Sequence, residues 1–213
     1  MLFWILWVLC WLPLHIFFPL KKVGKKNVPK KGGVVLACNH YSNWDVELLQ
    51  ISFGRRFSYL AKKELMKGKF VNWFLKKLGA FPVDRDAGGD IAATKFALGT
   101  LKKGGALCLF PEGTRNKTTS DELQALKSGS IVFSAKTGTP LVPMMFLKRP
   151  KMFHRNVLVI GEPLDFKFEN PTRPSKEEIA VATEKLSEAM KELQQNGLEK
   201  YFSQHKEKEE KSE

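Results

Sequence analysis

Cysteine is scarce in this chain, with only Cys10, Cys38 and Cys108 among 213 residues. An odd count without metal-ligand spacing argues against a disulfide framework or a zinc site and fits a reducing compartment. Other chemistry-bearing patterns are missing too. There is no Gly-x-Ser-x-Gly elbow, no Cys-x-x-Cys pair, no Gly-x-Gly-x-x-Gly fingerprint and no phosphate loop ending in Gly-Lys-Ser or Gly-Lys-Thr. These absences set aside serine-elbow, dithiol, dinucleotide and P-loop chemistry. Nothing reads as a linker or an internal repeat, so the length implies one domain with a sizeable core.

Charge is absent from Leu2 to Leu20, a stretch rich in Trp, Leu, Ile and Phe. As a helix it would span about 28 Å, close to a bilayer core. No charged region precedes it and Phe17-Phe18-Pro19-Leu20-Lys21 offers no small-residue cleavage site, so it does not read as a signal peptide. Pro13, His15 and Pro19 disfavour a straight spanning helix, which leaves shallow insertion as the expectation. The formal net charge is +13. Basic residues gather at Lys21, Lys22, Lys25, Lys26, Lys30 and Lys31. They gather again from Lys62 to Lys77, interleaved with Leu65, Met66, Phe70, Trp73, Phe74 and Leu78. Such basic amphipathic stretches suit an anionic membrane surface rather than nucleic acid, and flanking lysines place the following domain on the cytoplasmic face.

The rest of the chain alternates two periodicities. Apolar runs predict strands at Gly33–Cys38, Phe57–Leu60, Gly79–Val83, Ala106–Phe110, Leu141–Leu147 and Asn156–Gly161. Helices are expected at Ser42–Ile51, Lys62–Leu78, Asp90–Lys102, Leu126–Thr137 and Ser175–Gln195, the last opened by Ser175 with Glu178 and closed by Asn196-Gly197. This order implies an α/β fold: a central, largely parallel or mixed sheet flanked by helices, with an N-terminal membrane-associated helix. Residues 1–22 are expected to anchor, residues 23–200 to form the domain, and residues 201–213 to be a charged tail without a core-forming pattern.

Asn39-His40-Tyr41-Ser42-Asn43-Trp44-Asp45 falls at a strand-to-helix junction. Five positions along an ideal helix would turn His40 and Asp45 away from each other. A bend between them lets the carboxylate fold back on the imidazole, making a general base with an orienting acid. From this stretch alone a second reading is equally open, in which Ser42 and Asp45 only cap a helix and His40 is a turn residue. Cys38, two residues before His40, offers a rival thiol nucleophile. His154 and His205 read as surface residues.

Three later segments accompany this one: Gly79-Ala80-Phe81-Pro82-Val83-Asp84-Arg85, Phe110-Pro111-Glu112-Gly113-Thr114-Arg115 and Thr139-Pro140-Leu141-Val142-Pro143. In order and spacing the four resemble the blocks of the glycerophospholipid acyltransferase family, over about Val23 to Leu164. Asn116 stands where that family commonly has serine. The resemblance implies transfer of a fatty acyl group from acyl carrier protein or a coenzyme A thioester to the free hydroxyl of lysophosphatidic acid, at the cytoplasmic face of a bacterial inner membrane. His40 would be the base and Asp45 its orienting partner. The acceptor phosphate would be bound by Glu112, Gly113, Thr114 and Arg115 with Arg85 contributing, and Lys62 would lie near the developing oxyanion. No metal or cofactor is implied, since a thioester carries its own leaving group and the reaction needs a base and an oxyanion stabiliser. Other acceptors remain open, among them glycerol 3-phosphate, another lysophospholipid or a lyso-aminolipid, as does a non-catalytic basic membrane-binding module.

Overall fold

A computed structural model describes residues 9, 13–84, 90–118 and 120–199. Among them a seven-stranded sheet comprises β1 (Leu20–Val23), β2 (Val34–Cys38), β3 (Phe57–Lys62), β4 (Ala80–Val83), β5 (Ala106–Leu109), β6 (Leu141–Phe146) and β7 (Asn156–Ile160). The order is β1-β7-β6-β2-β5-β3-β4. Strands β2 to β6 run parallel, β7 is antiparallel to β6, and β1 is parallel to β7. The mixed sheet expected from the alternation is therefore present.

Every residue of β2 is buried, as an unbroken apolar run in a central strand requires. Its side chains alternate between two cores. Val34, Leu36 and Cys38 join Leu48 and Leu49 of α1 (Trp44–Ser52) on one face. Val35 and Ala37 face the other, where Ala97 and Leu101 of α3 (Ile91–Lys102), Ile131 of α4 (Gly129–Thr137), and Leu186 and Met190 of α5 (Lys176–Leu198) pack. Because β2, β3, β4 and β5 are parallel, the segments that follow them emerge at one edge of the sheet. That edge is where open α/β sheets gather ligand-binding groups.

Several local expectations change. Leu20–Val23 forms an edge strand, in register with Asn156–Val159, so the division expected between residues 22 and 23 falls inside β1. Phe18 is buried against Trp44, with ring centroids 5.7 Å apart. The carbonyls of Phe17 and Pro19 accept from the amides of Phe153 and Asn156, which ties residues 17–23 to the domain. Residues 13–17 are helical. Most of the apolar stretch proposed to insert in lipid, residues 1–8 and 10–12, lies outside the described residues, as does the tail 201–213. No helix among the described residues is long and apolar enough to cross a membrane.

The single helix expected over Lys62–Leu78 is broken. Lys63–Met66 is a short 3-10 turn and α2 runs from Lys69 to Lys77. Gly68 between them has φ 87°, a left-handed value that glycine adopts without strain and that ends helical continuity. At the other end of the chain, Ser175 and Glu178 exchange the expected capping bonds. Asn196-Gly197, however, does not stop α5, which continues to Leu198. A Cβ at Gly197 would sit 2.5 Å from Leu147 Cδ2, so this glycine allows close helix-to-sheet approach rather than a terminus.

Candidate active site

Asn39, directly after β2, is buried and makes two bonds to one residue of β6. Its Nδ2 donates to the Phe146 carbonyl at 3.0 Å and its Oδ1 accepts from the Phe146 amide at 2.8 Å. The side chain thus continues the ladder where the backbone leaves it, and His40 starts from a fixed point. The His40 amide donates to Glu112 Oε1 at 2.8 Å. Its carbonyl accepts from the Asn116 amide at 2.7 Å. Its ring stacks on Phe110 with centroids 4.0 Å apart.

Asp45 is fully buried and its carboxylate gathers four donors. Oδ2 accepts from His40 Nδ1 at 2.9 Å, from the Tyr41 amide at 2.6 Å and from the Ser42 amide at 2.8 Å. Oδ1 accepts from Ser42 Oγ at 3.0 Å. The same group therefore closes the turn and holds the ring. A carboxylate at Nδ1 assigns the proton to that nitrogen and leaves the lone pair on Nε2. The bend expected between His40 and Asp45 is present, with the turn amides and the imidazole held by one carboxylate, while the N-cap residue Asn43 makes no side-chain capping bond.

His40 lines a cavity of about 410 Å³. Its polar lining comprises Asn43, Glu47, Lys62, Thr114, Arg115 and Lys117, and its apolar lining Val46, Tyr59, Leu60, Ala61, Leu65, Leu75 and Phe110. Lys62 comes from the end of β3 and Arg115 from the loop after β5, so two cations from separate strands line the cavity with the imidazole. Arg115 Nη1 donates to Asn43 Oδ1 at 3.0 Å and its side chain is exposed.

The other expected residues divide. Both Glu112 oxygens are taken by backbone amides, Oε1 by His40 and Oε2 by Gln124 at 3.3 Å. Glu112 thus braces the two loops instead of contacting an arginine. Burial raises its carboxyl above the ordinary glutamate range, against the pull of those two amides. Gly113, at φ 74°, makes the turn and lines a neighbouring cavity beside Lys127. A Cβ there would lie 2.6 Å from Lys127 Cε. Arg85 lies outside the described residues. The Cys38 thiol is fully buried, donates to Asn39 Oδ1 at 3.6 Å and is pushed well above its usual pKa, chiefly by burial. It does not line the cavity that His40 lines, and nothing about it suits a nucleophile. Among the described residues no His, Cys, Asp and Glu cluster could hold a metal.

Asn43, Glu47 and Lys117 also line the cavity and were not anticipated. Asn43 lies within the His40–Asp45 segment itself, whereas nothing in the local sequence marks Glu47 or Lys117 as lining it. Arg149 was missed as well. It donates to the carbonyls of Tyr41, Asn116 and Thr118 and lies 5.3 Å from the Tyr41 ring centroid, clamping the His40 turn to the Arg115 loop. Asn116 is buried in that loop and is bonded on both amide atoms to residues 118–122. Its side chain organises the loop.

An α/β sandwich with an imidazole–carboxylate pair and clustered cations at the carboxyl edge of its parallel strands is the setting in which the comparisons belong. A family model described as Acyltransferase matches residues 19–147. The 1-acyl-sn-glycerol-3-phosphate acyltransferase of Bacillus subtilis (strain 168) is 37% identical over 190 residues, covering 82% of this chain and 88% of that protein. The protein of the same name from Borreliella burgdorferi is 32% identical over 136 residues, covering 63% of this chain and 54% of its own length. The crystal structure of the 1-acyl-sn-glycerophosphate (LPA) acyltransferase PlsC from Thermotoga maritima matches with a TM-score of 0.63 and 25% identity, over 84% of this chain and 72% of that one. This chain belongs to the acyltransferase family.

Proposed function

We propose that this protein moves a fatty acyl group from a thioester of acyl carrier protein or coenzyme A to the free hydroxyl of 1-acylglycerol 3-phosphate, giving phosphatidic acid. The observation that carries this reading is the 2.9 Å contact between Asp45 and Nδ1 of His40, which lines a cavity together with Lys62 and Arg115. Nε2 takes the proton from the acceptor hydroxyl as the oxygen attacks the thioester carbonyl. Buried Asp45 stabilises the imidazolium that forms. When the tetrahedral intermediate collapses, the carbon–sulfur bond breaks and the thiolate leaves, taking the proton held by His40. No protein nucleophile is required, consistent with the buried, bonded Cys38. Arg115 binds the acceptor phosphate through its planar fork, with Thr114 beside it and Arg85 contributing. Lys62 stabilises the negative charge that develops during attack. Glu112 and Gly113 act by holding the loop that presents Arg115.

The acyl chains lie along the apolar lining of the cavity, and the protein works at the cytoplasmic face of the cell membrane. Exposed Leu65, Phe70 and Trp73 stand on and before α2 beside Lys69, Lys76 and Lys77, a composition suited to an anionic lipid interface. The test is an acceptor screen with purified protein, reading thiol release and lipid product. Lysophosphatidic acid is expected to outperform glycerol 3-phosphate and phosphate-free lysolipids. Equal use of a phosphate-free acceptor would overturn the acceptor assignment, and no thiol release with any acceptor would overturn the activity.

A further inference from the structure

Glu47 stands two residues beyond Asp45 on α1 and turns to the other side of the helix. It lines the cavity together with Val46, Tyr59, Leu60 and Leu75. Its Oε2 is buried and has no hydrogen-bond partner among the described residues. Buried polar atoms are almost always paired, so an unpaired carboxylate oxygen in a cavity wall calls for a functional explanation. The other charged or titratable groups lining this cavity are His40, Tyr59, Lys62, Arg115 and Lys117, with Asp45 behind His40. None of them bonds that oxygen, and the adjoining α2 and 3-10 turn contribute only leucines, Leu75 and Leu65.

Resting on the function proposed above, we infer that Glu47 is a specificity-determining residue of the acyl-binding side of the cavity: its protonated carboxyl is a wall on which hydrocarbon packs, and its ionised form excludes hydrocarbon. The physical ground is that a neutral carboxyl tolerates an apolar neighbour, whereas a carboxylate loses its remaining hydration when a methylene chain covers it. Burial, followed by the nearby Asp45 charge, pushes the Glu47 carboxyl up to about 7, against a bond from its own amide. The switch thus falls in the working pH range. Below that value the wall is neutral and the chain binds. Above it the chain must either displace the charge or force the proton back on. Because the effect acts on chain binding, it appears in the KM of the acyl donor, while His40 governs kcat.

The experiment measures donor KM and kcat from about pH 6 to about pH 8.5 for the wild-type protein, Glu47→Gln and Glu47→Leu. The donors are a long saturated acyl-coenzyme A and butyryl-coenzyme A, whose four-carbon chain brings far less hydrocarbon to the cavity wall. Wild-type KM for the long donor is expected to climb above neutrality, by up to about tenfold per pH unit. The butyryl KM should stay level, and both variants should show a flat profile with the long donor. A Glu47→Gln profile that tracks the wild type, or an equal climb for the butyryl donor, would overturn the inference. If neither variant folds, the comparison of the two donors on the wild-type protein decides alone. Absence of any wild-type turnover would instead remove the acyltransferase reading on which the inference rests.

Discussion

Asp45→Asn separates the two tasks of the buried carboxylate, because amide geometry can keep one of them. With its oxygen at the Oδ2 position, an asparagine still accepts from the amides of Tyr41 and Ser42 and from His40 Nδ1. Its NH₂ then stands where Oδ1 was and donates to Ser42 Oγ, which can accept. The turn survives and the charge is lost. A hydrogen bond to a charged group contributes about 1.5–3 kcal/mol against about 1 kcal/mol for a neutral one. Replacing the charged bond by a neutral one therefore costs about 0.5–2 kcal/mol of imidazolium stabilisation in the transition state. The fall in kcat is expected to be about 2- to 30-fold, with acceptor KM little changed. Asp45→Ala does something else. It strands the buried amides of Tyr41 and Ser42, at about 1–3 kcal/mol each, so it should lose stability as well as activity. Thiol release gives kcat, and urea denaturation followed by circular dichroism gives stability. A folded Asp45→Asn protein turning over at the wild-type rate would refute the charge-stabilising role of Asp45. Equal destabilisation by both variants would refute the division of tasks.

Other perturbations probe other parts. Arg115→Lys keeps the charge but loses the paired fork, so acceptor kcat/KM should fall by about one to two orders of magnitude while donor KM holds; unchanged acceptor kinetics would remove Arg115 from the site. Glu47 has a folded carboxyl pKa of about 7, raised from an ordinary value of 4.5. The native state therefore binds more protons, and stability should decline as pH rises from about 4.5 to 7 and level off above. Glu47→Gln should flatten that decline and gain about 1–3 kcal/mol at pH 8, read by denaturation at several pH values. Deletion of residues 1–12 should leave the domain folded and easier to extract from membranes. Deletion through residue 23 removes β1 and buried Phe18, costing about 3 kcal/mol or more and lowering the melting temperature by about 6–12 °C.

The second deletion marks where the sequence was silent. Leu20-Lys21-Lys22-Val23 reads as the charged flank of an apolar run, and its membership of the sheet depends on β7, more than 130 residues away. The break at Gly68 was concealed by the regular spacing of aromatics and lysines on either side of it. Central strands were legible because burial on both faces demands unbroken apolar runs, and their parallel directions brought the His40 and Arg115 segments to one edge. The His40–Asp45 contact was legible because it is local, five residues across a bend. Long-range contacts were not. Glu112 was expected among the groups binding the acceptor phosphate, yet its two oxygens accept from amides of two loops. Arg149 clamps a turn more than 100 residues distant, and neighbouring residues say nothing of it. Glu47 and Lys117 became part of the site only when β3, α2 and the loop after β5 closed a cavity around them.

The most direct test of His40 as general base is a comparison of wild-type protein and His40→Ala, supplied with lysophosphatidic acid and a long-chain acyl thioester, with phosphatidic acid measured by mass spectrometry and folding checked by circular dichroism. A positioned general base contributes about 10²- to 10⁴-fold, so the folded variant should form product slower by that factor while still binding the acceptor. A folded His40→Ala protein that forms phosphatidic acid at a near wild-type rate would contradict the mechanism.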